Sequence, residues 1–99
     1  MHYQVSVALK IEGSIQIRGL LRRNGFKLHL RDTALGKFSP IELLDDQNFS
    51  GEGNRFYVFA IYNSDAGFPA QEVLKKLLES DHLLDIKLRH FTENSLLPS

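Results

Sequence analysis

The sequence predicts an α+β fold with its elements in the order β-α-β-β-α-β, and three observations carry that prediction. Apolar residues recur at every second position over 3–11 and 26–31, the period of a strand, and 55–62 is a third strand-like run. Over 14–24, and again from Pro69, they recur at three and four, the period of a helix. A last short alternation surrounds Ile86. Strands and helices in that order form the split βαβ arrangement of the ferredoxin-like fold. It is one antiparallel, four-stranded sheet of order 4-1-3-2, with two helices on one face and the other face left for partners.

In 3–11, Tyr3, Val5, Val7, Leu9 and Ile11 alternate with Gln4, Ser6, Ala8 and Lys10, so one side enters a core and the other does not. Glu12 and Gly13 turn the chain, and Ser14 is placed to cap the first helix. There Ile17, Leu20 and Leu21 make the inward stripe, while Arg18, Arg22 and Arg23 are expected to face water. Gly19 costs this helix about 1 kcal/mol against alanine, so its stability must come from packing. Asn24-Gly25 stops it, with Gly25 in the left-handed position beyond the last turn.

Phe26, Leu28 and Leu30 alternate with Lys27, His29 and Arg31 as a second half-buried strand. The connection 32–54 is long for a hairpin. Within it Ser39-Pro40-Ile41-Glu42 puts a capping hydroxyl before a proline, which predicts a short helical turn over 40–46. The third strand, 55–62, is apolar on both sides, with Tyr57, Phe59 and Ile61 on one and Phe56, Val58, Ala60 and Tyr62 on the other. Such a strand belongs in the middle of a sheet whose outer face is not simply wet. After Pro69 the second helix turns Val73, Leu74, Leu77 and Leu78 inward, and Ile86 and Leu88 then alternate with Lys87 and Arg89. The second and fourth strands are expected at the sheet edges. The whole reads as one domain over 1–91, with 32–54 as a long loop and 92–99 as a tail.

At 99 residues the chain suits a single domain that buries roughly two-thirds of its unfolded surface. A hydrophobic content of 42% is too high for a disordered chain. Lysine plus arginine and aspartate plus glutamate are both 12, so the whole chain has no polycationic footprint for nucleic acid or membrane. With no cysteine there is no disulfide framework, thiolate nucleophile or thiolate metal site. No run approaches the ~18 apolar residues of a membrane span, and the first residues lack a secretory pattern. A soluble, cytoplasmic protein without membrane contact is expected.

His2, His29, His82 and His90 show no metal-ligand spacing, and exposed helix-end and strand-end histidines account for them. No serine sits on a strand-turn-helix elbow, and adjacent Asp45 and Asp46 point apart instead of working as a pair. No glycine motif cradles a phosphate. The expectation is no catalytic residue, no metal and no cofactor; a small enzyme of unknown reaction is the third reading.

The open sheet face is more informative. Projecting the strands sets Gln4, Ser6 and Ala8 beside Tyr57 and Phe59, with His29 and Arg31 along one side and Lys87 and Arg89 along the other. Rings to stack bases and cations to hold phosphates are what a single-stranded RNA platform needs. Arg55, Tyr57, Phe59 and Tyr62 fit half of the RNA-recognition-motif signature, although Phe56 and Val58 stand at its small-residue positions. His29, Arg31, Arg55, Tyr57, Phe59, Lys87 and Arg89 are therefore the candidate contacts for a partner protein or RNA on this face.

Three segments carry a resemblance to a known family. They are His2-Tyr3-Gln4-Val5-Ser6-Val7, then Leu20-Leu21-Arg22-Arg23-Asn24-Gly25-Phe26-Lys27-Leu28, and Val73-Leu74-Lys75-Lys76-Leu77 followed by Leu84-Asp85-Ile86-Lys87-Leu88. Together they resemble the ACT domain, a βαββαβ regulatory module of amino-acid metabolism, and more narrowly the short small regulatory subunits of acetohydroxyacid synthase. The resemblance implies a non-catalytic regulatory or protein-binding module that forms a homodimer or joins a partner enzyme. It also implies a small amino-acid ligand at the loop before the first helix, here Glu12, Gly13, Ser14 and Ile15. A turn at a helix N-terminus suits a ligand carboxylate. Single-stranded RNA binding on the open face is the alternative.

Overall fold

The computed structural model describes residues 1–32, 37–42 and 56–92, with 37–42 described by its backbone. Seven elements follow in order: β1 (His2–Lys10), α1 (Ile15–Arg23), β2 (Lys27–Asp32), β3 (Lys37–Glu42), β4 (Phe56–Ser64), α2 (Gln71–Glu79) and β5 (Leu83–Phe91). They build a ferredoxin-like α+β fold. The strands form one antiparallel sheet of order β3-β2-β4-β1-β5. Its β2-β4-β1-β5 portion is the expected four-stranded βαββαβ sheet, and β3 extends that sheet by a fifth strand.

The added strand corrects two expectations. Pro40, Ile41 and Glu42 lie in β3, where Ile41 pairs with Leu30 and Glu42 with His29, not in a helical turn; residues 43–46 lie outside the described residues. The local Ser-Pro signal loses to the backbone groups that β2 offers along its side, and a proline is tolerated because β3 is itself an edge. Consequently β2 is an interior strand, and β5 is the edge that remains from the four-stranded prediction.

Strand alternation assigns the faces as expected. Val5, Val7 and Leu9 of β1, Leu28 and Leu30 of β2, and Val58 and Ala60 of β4 are buried in one cluster with Leu21 of α1 and Val73 and Leu77 of α2. Both helices therefore cover the same side. Tyr3 also turns to that side, stacked on His90 at 4.5 Å with Phe68 edge-on at 5.0 Å.

The helices depart from the predicted stripes. In α1 the fully buried line is Ser14, Arg18 and Leu21, at i, i+4 and i+7, so Arg18 does not face water. Burial pushes its guanidinium pKa below the usual arginine value, and the charge of Arg22 adds to the shift. Ser14 does not cap with its side chain: its hydroxyl donates back to the Ile11 carbonyl at 3.0 Å. Beyond α1, Phe26 N–H donates to Leu21 O and Gly25 N–H to Arg22 O, a Schellman closure that needs the positive φ of +89° at Gly25. In α2 only Val73 and Leu77 are buried, and Leu78, expected inside, is 64% exposed. No helix among the described residues is long and apolar enough to cross a membrane.

Candidate functional site

The face opposite the helices is built by register. Four rows run across the sheet: Arg31–Tyr57–Lys10, then His29–Phe59–Ala8–Asp85, then Lys27–Ile61–Ser6–Lys87, and last Asn63–Gln4–Arg89. On this face lies a concavity of about 450 Å³, bordered by Arg31, Tyr57, Phe59, Lys87 and Arg89 among others. Five of the seven candidate contacts thus meet around one hollow. His29 lies in the same rows but does not border it, and Arg55 lies outside the described residues.

Arg31 organises the aromatic side of this hollow. Its guanidinium carbon stands 4.0 Å over the Phe59 ring, and its Nη1 donates to Tyr57 Oη at 3.1 Å. A cation over an aromatic face is worth about 0.5–2 kcal/mol, so one side of Phe59 is already occupied by the protein's own charge. At the far end Asn63 Oδ1 accepts from Gln4 Nε2 at 3.1 Å and lies 3.0 Å from His2 Nε2. Asp85 also borders the hollow, and Lys10 lies on the same face beside Tyr57; neither was among the candidate contacts. Both were recoverable by parity, since Lys10 follows Ala8 by two residues and Asp85 precedes Lys87 by two.

The loop before α1 is disposed differently. Glu12 is exposed, Ile15 is 42% exposed, and Ser14 is buried with its hydroxyl engaged. Gly13 has φ +76°, and a Cβ there would stand 3.1 Å from His82 Cε1, so this turn accepts glycine on two counts. Gly13 also borders a cleft of about 340 Å³ to which the helices bring Arg23 and Lys76 and the turn before β5 brings His82. Of the four loop residues, Gly13 borders this cleft, and Ile15 borders a separate concavity of about 630 Å³ with Gln16, Gly19, Arg22 and Arg23. Among the described residues no cluster of three or more histidines and carboxylates is placed to hold a metal ion.

The β5 edge is the third feature. It runs nine residues, pairs with β1 along one side, and is exposed at six of those positions: Leu84, Asp85, Lys87, Leu88, Arg89 and His90. Among the described residues no strand pairs with its other side. Leu88 pairs with buried Val5 and so lies on the helix side, yet it is 48% exposed. Leu84, the extra residue where the β1–β5 register shifts, is 52% exposed.

No family model, curated protein or solved structure matches this chain. Function must therefore be argued from these three surfaces and their chemistry. The open face offers cations, rings, amides and one carboxylate, Asp85, around one hollow. The β5 edge offers a row of backbone donors and acceptors flanked by leucines, which is the arrangement of a strand-pairing surface.

Proposed function

We propose that this chain is a non-catalytic, ACT-like regulatory module that binds protein by extending its sheet at β5, as a homodimer or with a partner enzyme. The observation that carries the reading is the contrast between the two ends of the sheet. Among the described residues both ends are edges, but β3 is six residues long and carries Pro40, whereas β5 is nine residues long with Leu84 and Leu88 exposed. A long edge leaves a row of backbone donors and acceptors unpaired, and strand addition is a recurrent way of covering one. On this reading the chain works in the cytoplasm. A small amino acid would then bind at the 12–15 loop through backbone N–H groups, with its carboxylate toward Arg23 and Lys76.

Sedimentation at two protein and two salt concentrations tests the pairing. The expected result is twice the 11.3 kDa mass of the chain, persisting at both salt concentrations. A monomer under all four conditions would rule out the homodimer, and failure to recover a stoichiometric enzyme partner as well would end the reading.

One observation favours a second reading. Although the net charge is zero, the described open face carries Lys10, Lys27, Arg31, Lys87 and Arg89 against Asp85 alone. With Tyr57 and Phe59 between them, these cations suit a single strand of RNA. On that reading Tyr57→Ala and Phe59→Ala each weaken binding of a single-stranded oligonucleotide by about 1–3 kcal/mol per stacked base. Affinity must also fall steeply with salt. Unchanged affinity in both variants removes stacking from consideration.

A further inference from the structure

We propose that β5 pairs antiparallel with β5 of a second copy about a two-fold axis at Ile86, setting Asp85 of each copy opposite Lys87 of the other. The inference rests on the reading that the β5 edge binds protein, and it specifies the partner and the register. When two identical strands continue one sheet, directly opposed residues project from the same face. Each residue can therefore face only a residue of its own parity in the copy. That leaves few registers, and the charges of Leu84-Asp85-Ile86-Lys87-Leu88-Arg89 separate them.

An axis at Ile86 opposes Asp85 to Lys87 twice, Leu84 to Leu88 twice, and Ile86 to itself. Every charged pair has opposite signs, and the two exposed leucines, at 52% and 48%, cover each other. An axis at Asp85 opposes two carboxylates, and an axis at Leu88 opposes Lys87 to Arg89. An axis at Lys87 gives Asp85–Arg89 pairs but sets two ammonium groups face to face. Like charges directly opposed destabilise a strand pair, so the Ile86 register has the best charge match. The same pairing brings the outer surfaces of the two α2 helices, with Leu78 64% exposed, to the same side of the joined sheet.

Charge reversal tests the register on side chains that are exposed, so the fold is retained; circular dichroism of each variant checks this. Asp85→Lys and Lys87→Asp should each weaken self-association at least tenfold by sedimentation equilibrium, because each creates two like-charge pairs. An equimolar mixture of the two single variants should associate again, as should the double variant D85K/K87D, since both restore opposite signs in this register. Single variants that dimerise like the parent would overturn the proposal while leaving self-pairing through another surface intact. Weakened singles without rescue would overturn this register, and weakening by Asp85→Lys with none by Lys87→Asp would overturn it in favour of the axis at Lys87. A parent chain that stays monomeric at all concentrations would overturn self-pairing itself and leave β5 to a strand of a different protein.

Discussion

Arg18→Ala is expected to lower the unfolding free energy by about 2–4 kcal/mol, and Arg18→Met to recover at least ~1 kcal/mol of that loss. Arg18 is fully buried on the line of α1 that also buries Ser14 and Leu21. Its three-carbon stem fills core volume there, and alanine would leave that volume empty. Methionine refills most of the space and removes the desolvation cost of a buried charge. Urea unfolding followed by circular dichroism reads both variants, with an unchanged slope showing that the native state stays compact. A methionine variant as unstable as alanine would mean that the guanidinium's contacts, and not its packing, hold α1 on the sheet. The pH behaviour follows from the sign of the shift. The folded-state pKa is lowered by burial and then by Arg22, so the charged form opposes folding at every pH below that value. The opposition fades only as pH climbs into the range where arginine releases its proton, so stability near neutrality should vary with pH alike in parent and methionine variant.

Much of this fold was legible because strand parity is local. Val5, Val7 and Leu9 turn inward and Gln4, Ser6 and Ala8 outward as their alternation requires, and Tyr57 and Phe59 follow the same rule on β4. Gathering Arg31, Tyr57, Phe59, Lys87 and Arg89 on one face was legible for that reason. The departures are non-local. Pro40 carries a helix-start signal in its own segment, but the pairing of Ile41 and Glu42 with β2 is decided by a strand outside that segment. Arg18 is polar by composition, yet lies on the i, i+4, i+7 line between two buried residues, and position outweighs polarity. Leu78 belongs to the apolar period of α2, but the helix turns Val73 and Leu77 into the core and leaves Leu78 64% exposed. Arg31's double engagement of Phe59 and Tyr57 depends on cross-strand register and rotamer together, which no spacing in the chain encodes.

Leu88→Lys is expected to weaken self-association on the order of 30- to 1000-fold while changing the stability of the isolated chain by no more than about 0.5 kcal/mol. The asymmetry arises because Leu88 is 48% exposed in the single chain and packs little there, whereas at the joined edges it meets Leu84 of the second copy. Two-fold symmetry makes the single substitution act twice, and losing two partly buried leucine contacts is worth about 2–4 kcal/mol. Lysine adds an ammonium group that must either swing away or be desolvated, which is how edge strands are kept from pairing. Sedimentation equilibrium gives the association constant, and urea unfolding at a concentration below dissociation gives the stability of the chain alone. The substitution also separates the two binding surfaces, because Leu88 lies on the helix side of β5 and Tyr57 on the open face. If pairing used the open face, Tyr57→Ala would weaken it and Leu88→Lys would not. If pairing uses the edge, the effects are reversed, and the Arg31 and Tyr57 side of the hollow, away from β5, remains open to a second ligand in the paired state.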